Sequence, residues 1–301
     1  MSVSYGLHIA LVIGCISLFA WGCDGGDTDH SGATRRAPRA LPSGYRVTEV
    51  VNGATLSGSV VWMGARPDVV MTRVLQHASV CGAERALPAL RIGPHGGVAD
   101  AVVYLDGITE GRALPEGPFE VRFSGCDVSP TVLAMPVGAT LTIVDDEDLL
   151  HNVHLTWVHL GSVQPSSATG GATWLDLGLP SRGMRASATA EHTGVASMVD
   201  DAGHPWILGW VHVLDHPYVQ VTTDDGRFRL TGIPPGQYTL RVWHQGVRRS
   251  GGTESESGSS PGERPRMSAP LVLARPVAVT AGTDTTVDFQ LDLSTVEAAG
   301  D

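Results

Sequence analysis

The chain has 301 residues and a formal net charge of −11, a length that allows one large β domain or two ordinary ones. All 20 basic residues are arginine, and the acidic balance speaks against nucleic acid as a partner, or against binding anionic lipid through a basic face. The 37 glycines and 19 prolines supply many turns, and no long helical period runs between them.

In chain order, "MSVSYGLHIALVIGCISLFAWGC" carries no Asp, Glu, Lys or Arg before Cys23. Its apolar core, 9–21, is too short to span a bilayer comfortably and suits a secretory signal. The ending "FAWGC" resembles a bacterial lipobox, which implies cleavage after residue 22 and lipidation at Cys23. An ordinary secretory signal or an uncleaved anchor is the alternative. On the lipobox reading, 1–22 is a lipoprotein signal peptide. The mature chain then sits in the cell envelope, held to the membrane by its lipid anchor and facing the periplasm or the exterior. Residues 23–45 are small, polar and proline-bearing, the composition of a flexible tether.

With Cys23 lipidated, two thiols remain, Cys81 and Cys126, in an oxidising compartment. A Cys81–Cys126 disulfide is the economical outcome. It would stabilise the fold by roughly 4 kcal/mol through the loop it closes. The alternative is a copper thiolate at Cys126 beside a free Cys81.

From residue 46 onward the pattern is β. "PFEVRFSG" sets Phe119, Val121 and Phe123 on one face, "GQYTLRVWH" sets Tyr238, Leu240 and Val242, and "TVDFQLDL" sets Val287, Phe289, Leu291 and Leu293. Alternation of this kind marks half-buried strands of a sheet. The fold class is all-β, built as sandwiches. The polar, low-complexity run 248–266 cannot bury a core and reads as a disordered surface loop.

Two resemblances cover the rest. "VADAVVYL", "CDVSPTVLAMPVGATLTIVDDEDLLHNVHL" and "TGVASMVDDAGHPWILGWVHV" resemble a cupredoxin, the Greek-key sandwich of the blue copper proteins, over 81–216. "PYVQVTTDDGRFRLTGIPPGQYTLRVWHQG" resembles a carboxypeptidase regulatory-like module, a transthyretin-like sandwich, over 217–293. "GATLSGSVVWMGARP" looks like its opening strand, within 46–80, and 294–301 is a tail. Together they imply a bacterial lipoprotein in which the cupredoxin-like part is inserted in the other, or two consecutive sandwiches.

The cupredoxin resemblance implies copper ligands at His151, in "HNV", and at His204. A blue copper centre also needs a Cys and a weak axial Met. The positions for the Cys hold Asp201 and Val199, and those for the Met hold Ile207, Leu208 and Gly209. What remains is His151, His204 and Asp201, two imidazoles and a carboxylate suited to copper(II), zinc or iron(II). Otherwise both histidines are structural leftovers. His154, three residues after His151, is expected on the opposite sheet surface.

No Ser-His-Asp or paired-carboxylate arrangement points to an enzyme. The first reading is therefore a non-catalytic envelope scaffold that contacts an unknown protein or glycan partner. The alternative is a periplasmic copper or zinc carrier, or a weak electron-transfer protein, using His151, His204 and Asp201.

Overall fold

The computed structural model describes residues 44–158, 171–247, 267–292 and 294. The signal peptide, Cys23, most of the tether, the 248–266 loop and the tail beyond 294 lie outside the described residues. No helix among them is long and apolar enough to cross a membrane.

The chain begins with β1 (Arg46–Val47) and β2 (Ala54–Trp62), then a covering segment of β3 (Met71–Arg73), the single helical turn α1 (Ala78–Cys81) and β4 (Glu84–Ala86). It continues through β5 (Val102–Asp106) and β6 (Glu110–Gly111) into β7 (Phe119–Phe123), β8 (Val128–Ser129), β9 (Val132–Pro136) and β10 (Thr140–Asp145). Next come β11 (His151–Val158), β12 (Thr173–Leu179), β13 (Arg185–Thr189), β14 (Gly194–Asp200) and β15 (Leu208–Leu214). The last strands are β16 (Val219–Val221), β17 (Arg227–Ile233), β18 (Gly236–His244), β19 (Leu271–Val279), β20 (Asp284–Thr286) and β21 (Phe289–Leu291).

Apart from the two-stranded pairs β1-β6 and β3-β4, these strands make two sandwiches, in keeping with the all-β class. The central one faces a four-stranded sheet, β13-β10-β7-β8, against a five-stranded sheet, β12-β11-β14-β15-β9. Val121, Phe123, Leu141, Ile143, Val153, Leu155, Met198 and Val211 fill the space between them. The outer sandwich faces β16-β5-β18-β19 against β17-β2-β20, with β21 also on β2. Leu56, Val103, Leu105, Phe228, Leu240, Val242 and Phe289 form its core. The faces read from Phe119 to Phe123 and from Tyr238 to Val242 therefore point inward, while Leu293 lies outside the described residues.

Two segments sit differently from the sequence boundaries. Strand β5, in the stretch assigned to the cupredoxin-like part, pairs with β16 and β18 of the outer sandwich. The front of the covering segment, within the 46–80 assigned to the opening of the outer one, instead packs Val74 into the central core beside Cys81 and Leu87. Alternation within a short strand shows which face is buried but not which sheet buries it, so neither placement was readable locally.

A third apolar cluster joins the sandwiches. Val132, Val199, Leu208 and Trp210 of the central sandwich meet Val102, Trp243 and Met267 of the outer one. The five-stranded sheet is thus covered on both faces, which explains why β15 is buried along nearly its whole length rather than at alternate residues.

The Asp-Gly turn before β17 is tightly enclosed. Gly226 has φ +69, and a Cβ there would stand 2.2 Å from the Val60 carbonyl oxygen and 2.8 Å from Gly97 Cα. Gly226→Ala is expected to cost at least about 2 kcal/mol through left-handed strain and backbone collision. A lower urea midpoint checks this; an unchanged midpoint would show that the turn relaxes freely.

Candidate metal centre

Strand parity builds the site at one end of the central core. On β11, His151 shares the inward face of Val153 and Leu155, and on β14 Asp200 shares that of Met198. The register sets Val153 opposite Asp200, which brings the start of β11 beside the end of β14. The turn after β14 then returns His204 to the same place.

His151, Asp200 and His204 are all buried, and one donor atom from each lies within 4.8 Å of the others. Asp200 Oδ2 is 2.6 Å from His151 Nδ1 and 2.5 Å from His204 Nδ1. Asp200 Oδ1 accepts from the backbone N–H of Asn152 at 2.8 Å and of Ala202 at 2.9 Å. Because an ionised carboxylate only accepts, both imidazoles carry a proton on Nδ1 in this state. Burial by itself would raise the Asp200 pKa. The hydrogen bonds from His151, His204, Ala202 and Asn152 outweigh it and hold the carboxyl well below the usual range.

His151 also meets a carboxylate on its other nitrogen, with Nε2 3.1 Å from Glu147 Oε1. Burial would depress its pKa, but Asp200, joined by the charges of Asp145 and Glu147, overrides burial and raises it. Carboxylate oxygens thus flank both ring nitrogens of His151. Beneath it, Asp145 is buried; its Oδ1 accepts from the Glu147 N–H at 3.0 Å, and its Oδ2 has no hydrogen-bond partner among the described residues. Burial raises the Asp145 pKa. Two carboxyl groups, Asp200 and Glu147, thus contact the two buried imidazoles.

The donor chemistry fits a metal. Metal–ligand bonds near 2 Å put neighbouring donors of a tetrahedral ion roughly 3.3 Å apart, so each Nδ1 atom would need to draw away from Oδ2 by less than about 1 Å.

Asp201 is corrected by this geometry. It follows Asp200 on the opposite parity, and its Oδ2 lies 3.1 Å from Nδ1 of His154, which faces away from the core as expected. Parity counted from the apolar Met198 would have singled out Asp200. Two further residues were not singled out: Glu147, in an acidic run, and His77, whose Nδ1 lies 3.4 Å from His204 Nε2 across 127 residues of chain. The Cys81–Cys126 disulfide is present, with Cα atoms 5.6 Å apart, which removes Cys126 as a thiolate ligand.

No protein-family model matches this chain, and no curated protein matches it. Solved structures similar to part of it include a purple cupredoxin from Nitrosopumilus maritimus, at 22% identity over 32% of this chain and 100% of that one, with a TM-score of 0.26. Amicyanin from Paracoccus versutus is 17% identical over 34% of this chain and 85% of that one, with a TM-score of 0.26. A copper-containing nitrite reductase from Thermus scotoductus is 22% identical over 35% of this chain and 24% of that one, with a TM-score of 0.25.

Proposed function

We propose that the chain is a non-catalytic metal-binding protein of the cell envelope, which takes a divalent copper or zinc ion on His151, His204 and Asp200. The observation that carries this reading is the convergence of two buried Nδ1 atoms on one buried carboxylate oxygen. A set of two imidazoles and a carboxylate, without sulfur, suits copper(II) or zinc(II) better than copper(I). Without a thiolate, carriage or storage is favoured over rapid electron transfer. Asp200 orients both rings; each ring must release its Nδ1 proton before that atom can act as a ligand, and Glu147 would accept the Nε2–H that His151 then keeps.

The lipobox-like ending at Cys23 supports a lipid-anchored chain in this scheme. The tether would hold the sandwiches off the membrane, and the outer one, with its "PPGQYTL" hairpin, would serve as a transthyretin-like spacer. A second reading is the metal-free scaffold with an unknown protein or glycan partner. The hydrogen bonds at 2.5 and 2.6 Å favour it, because they already satisfy Asp200 and both Nδ1 atoms.

Metal content separates the two. The full chain in detergent, loaded with copper(II) or zinc(II) and dialysed, is expected to keep near-stoichiometric metal, and a His151→Ala, His204→Ala chain to lose it. Equal, substoichiometric metal in both would leave the scaffold.

A further inference from the structure

Each imidazole of the centre turns Nδ1 to Asp200 and leaves Nε2 for a partner outside the donor set. For His151 that partner is Glu147, at 3.1 Å, and for His204 it is His77, at 3.4 Å. Such outer contacts fix ring orientation and the site of protonation, and their loss weakens metal binding.

Glu147 and His77 come from separate segments, yet both are tied to one covalent bond. His77 precedes α1, and its carbonyl accepts from the N–H of Val80 at 2.8 Å and of Cys81 at 2.9 Å. One helical turn therefore joins the His77 backbone to Cys81. Across the bridge, the Cys126 N–H donates to both Glu147 carboxylate oxygens, at 3.1 and 2.9 Å. The Cys126 carbonyl accepts from Trp206 Nε1 at 2.8 Å, and the Trp206 ring lies 5.3 Å from that of His204. Helix α1 has four residues and no side-chain cap, too short to hold its shape without tertiary support.

We propose that the Cys81–Cys126 disulfide is the positioning element of the metal centre. It clamps His77 and Glu147 against the far nitrogens of His204 and His151, which keeps both Nδ1 atoms turned to Asp200. The inference rests on the metal-binding reading above and adds the part that makes the donor geometry durable.

The test uses the full chain in detergent and three variants: Cys81→Ala with Cys126→Ala, His77→Ala with Glu147→Gln, and all four together. Two quantities are read. One is the Kd for copper(II) or zinc(II) against a competing chelator. The other is the set of imidazole ¹⁵N shifts of His151 and His204 in the metal-free chain, with near-ultraviolet circular dichroism confirming the fold. Loss of the disulfide is expected to raise Kd about 10- to 100-fold and to average the ¹⁵N shifts that mark fixed Nδ1 protonation. Added to the His77→Ala, Glu147→Gln chain, it is expected to change Kd by less than about twofold, because one device is being removed twice.

A Kd within about twofold of the parent in the disulfide variant, with unchanged ¹⁵N shifts, would overturn the proposal. Should that variant not fold, the His77→Ala, Glu147→Gln chain decides, and a parental Kd there overturns it equally. A parent chain that binds no metal, but whose ¹⁵N shifts depend on the disulfide, would sink the metal reading and keep the positioning role. Metal binding with shifts indifferent to the disulfide would do the reverse.

Discussion

Asp200→Ala is expected to lower stability by about 3–5 kcal/mol and to abolish metal retention. The carboxylate accepts from His151, His204, Asn152 and Ala202. Its removal leaves four donors without their acceptor, two of them on fully buried imidazoles. Asp200→Asn keeps the volume but sheds the charge, so an intermediate loss is expected. Urea unfolding of the metal-free chains reads the stability term, and metal content after dialysis reads the other. A cost below about 1 kcal/mol for Asp200→Ala would mean that the two imidazoles find other partners at little expense.

Acid is expected to weaken the outer sandwich and its junction with the central one. His212 projects from β15 toward the outer sandwich, with its ring 4.2 Å from that of Trp243, and His244 ends β18. His212 Nε2, His244 Nε2 and Trp243 Nε1 have no hydrogen-bond partner among the described residues. Burial pushes the His212 pKa down to about 3 and that of His244 down to about 4. In the unfolded chain both titrate near 6.5. Between about pH 6.5 and pH 4 the unfolded chain therefore binds two protons that the folded chain refuses. Each histidine removes roughly 1.4 kcal/mol of stability per pH unit of acidification over that window. Their full contribution is present above about pH 6.5 and is lost as pH falls. His151 acts in the opposite sense, because its raised pKa adds stability on acidification. Variants His212→Leu and His244→Leu isolate the two contributions, one at the junction and one at the end of β18. Urea unfolding from pH 7 to pH 5 should show a shallower pH slope in each, by the amount above; unchanged slopes would remove both histidines from the account.

Much of the fold was legible because alternation is a local property. The inward faces of β7 and β18 were readable from a handful of residues, and the thiol count led to the disulfide. The two histidines of the candidate site were legible through the resemblance carried by "HNV" and "GHPW". Asp200 was legible in principle, since Met198 marks the inward parity of β14, but spacing counted back from His204 led to Asp201 instead. Glu147 and His77 were not legible. Their roles depend on where the covering segment and the loop before β11 come to rest, and that follows from the disulfide and core packing. The location of β5 was hidden for the same reason: a buried face does not name its partner sheet.

The chain leaves the outer sandwich at β5 and re-enters it at β16, and these two strands are neighbours, with Val102 opposite Val221. This imposes a timetable on synthesis. The nine strands from β7 to β15, with the covering segment already made, are complete once residue 214 has emerged, and they can close while the remainder is still being produced. Strands β2 and β5 must wait for β16–β21, more than a hundred residues later for β2, with their edges and apolar faces uncovered. The last sandwich to close is the one whose first strands are made early, and the interval between is when the nascent chain is most prone to aggregate.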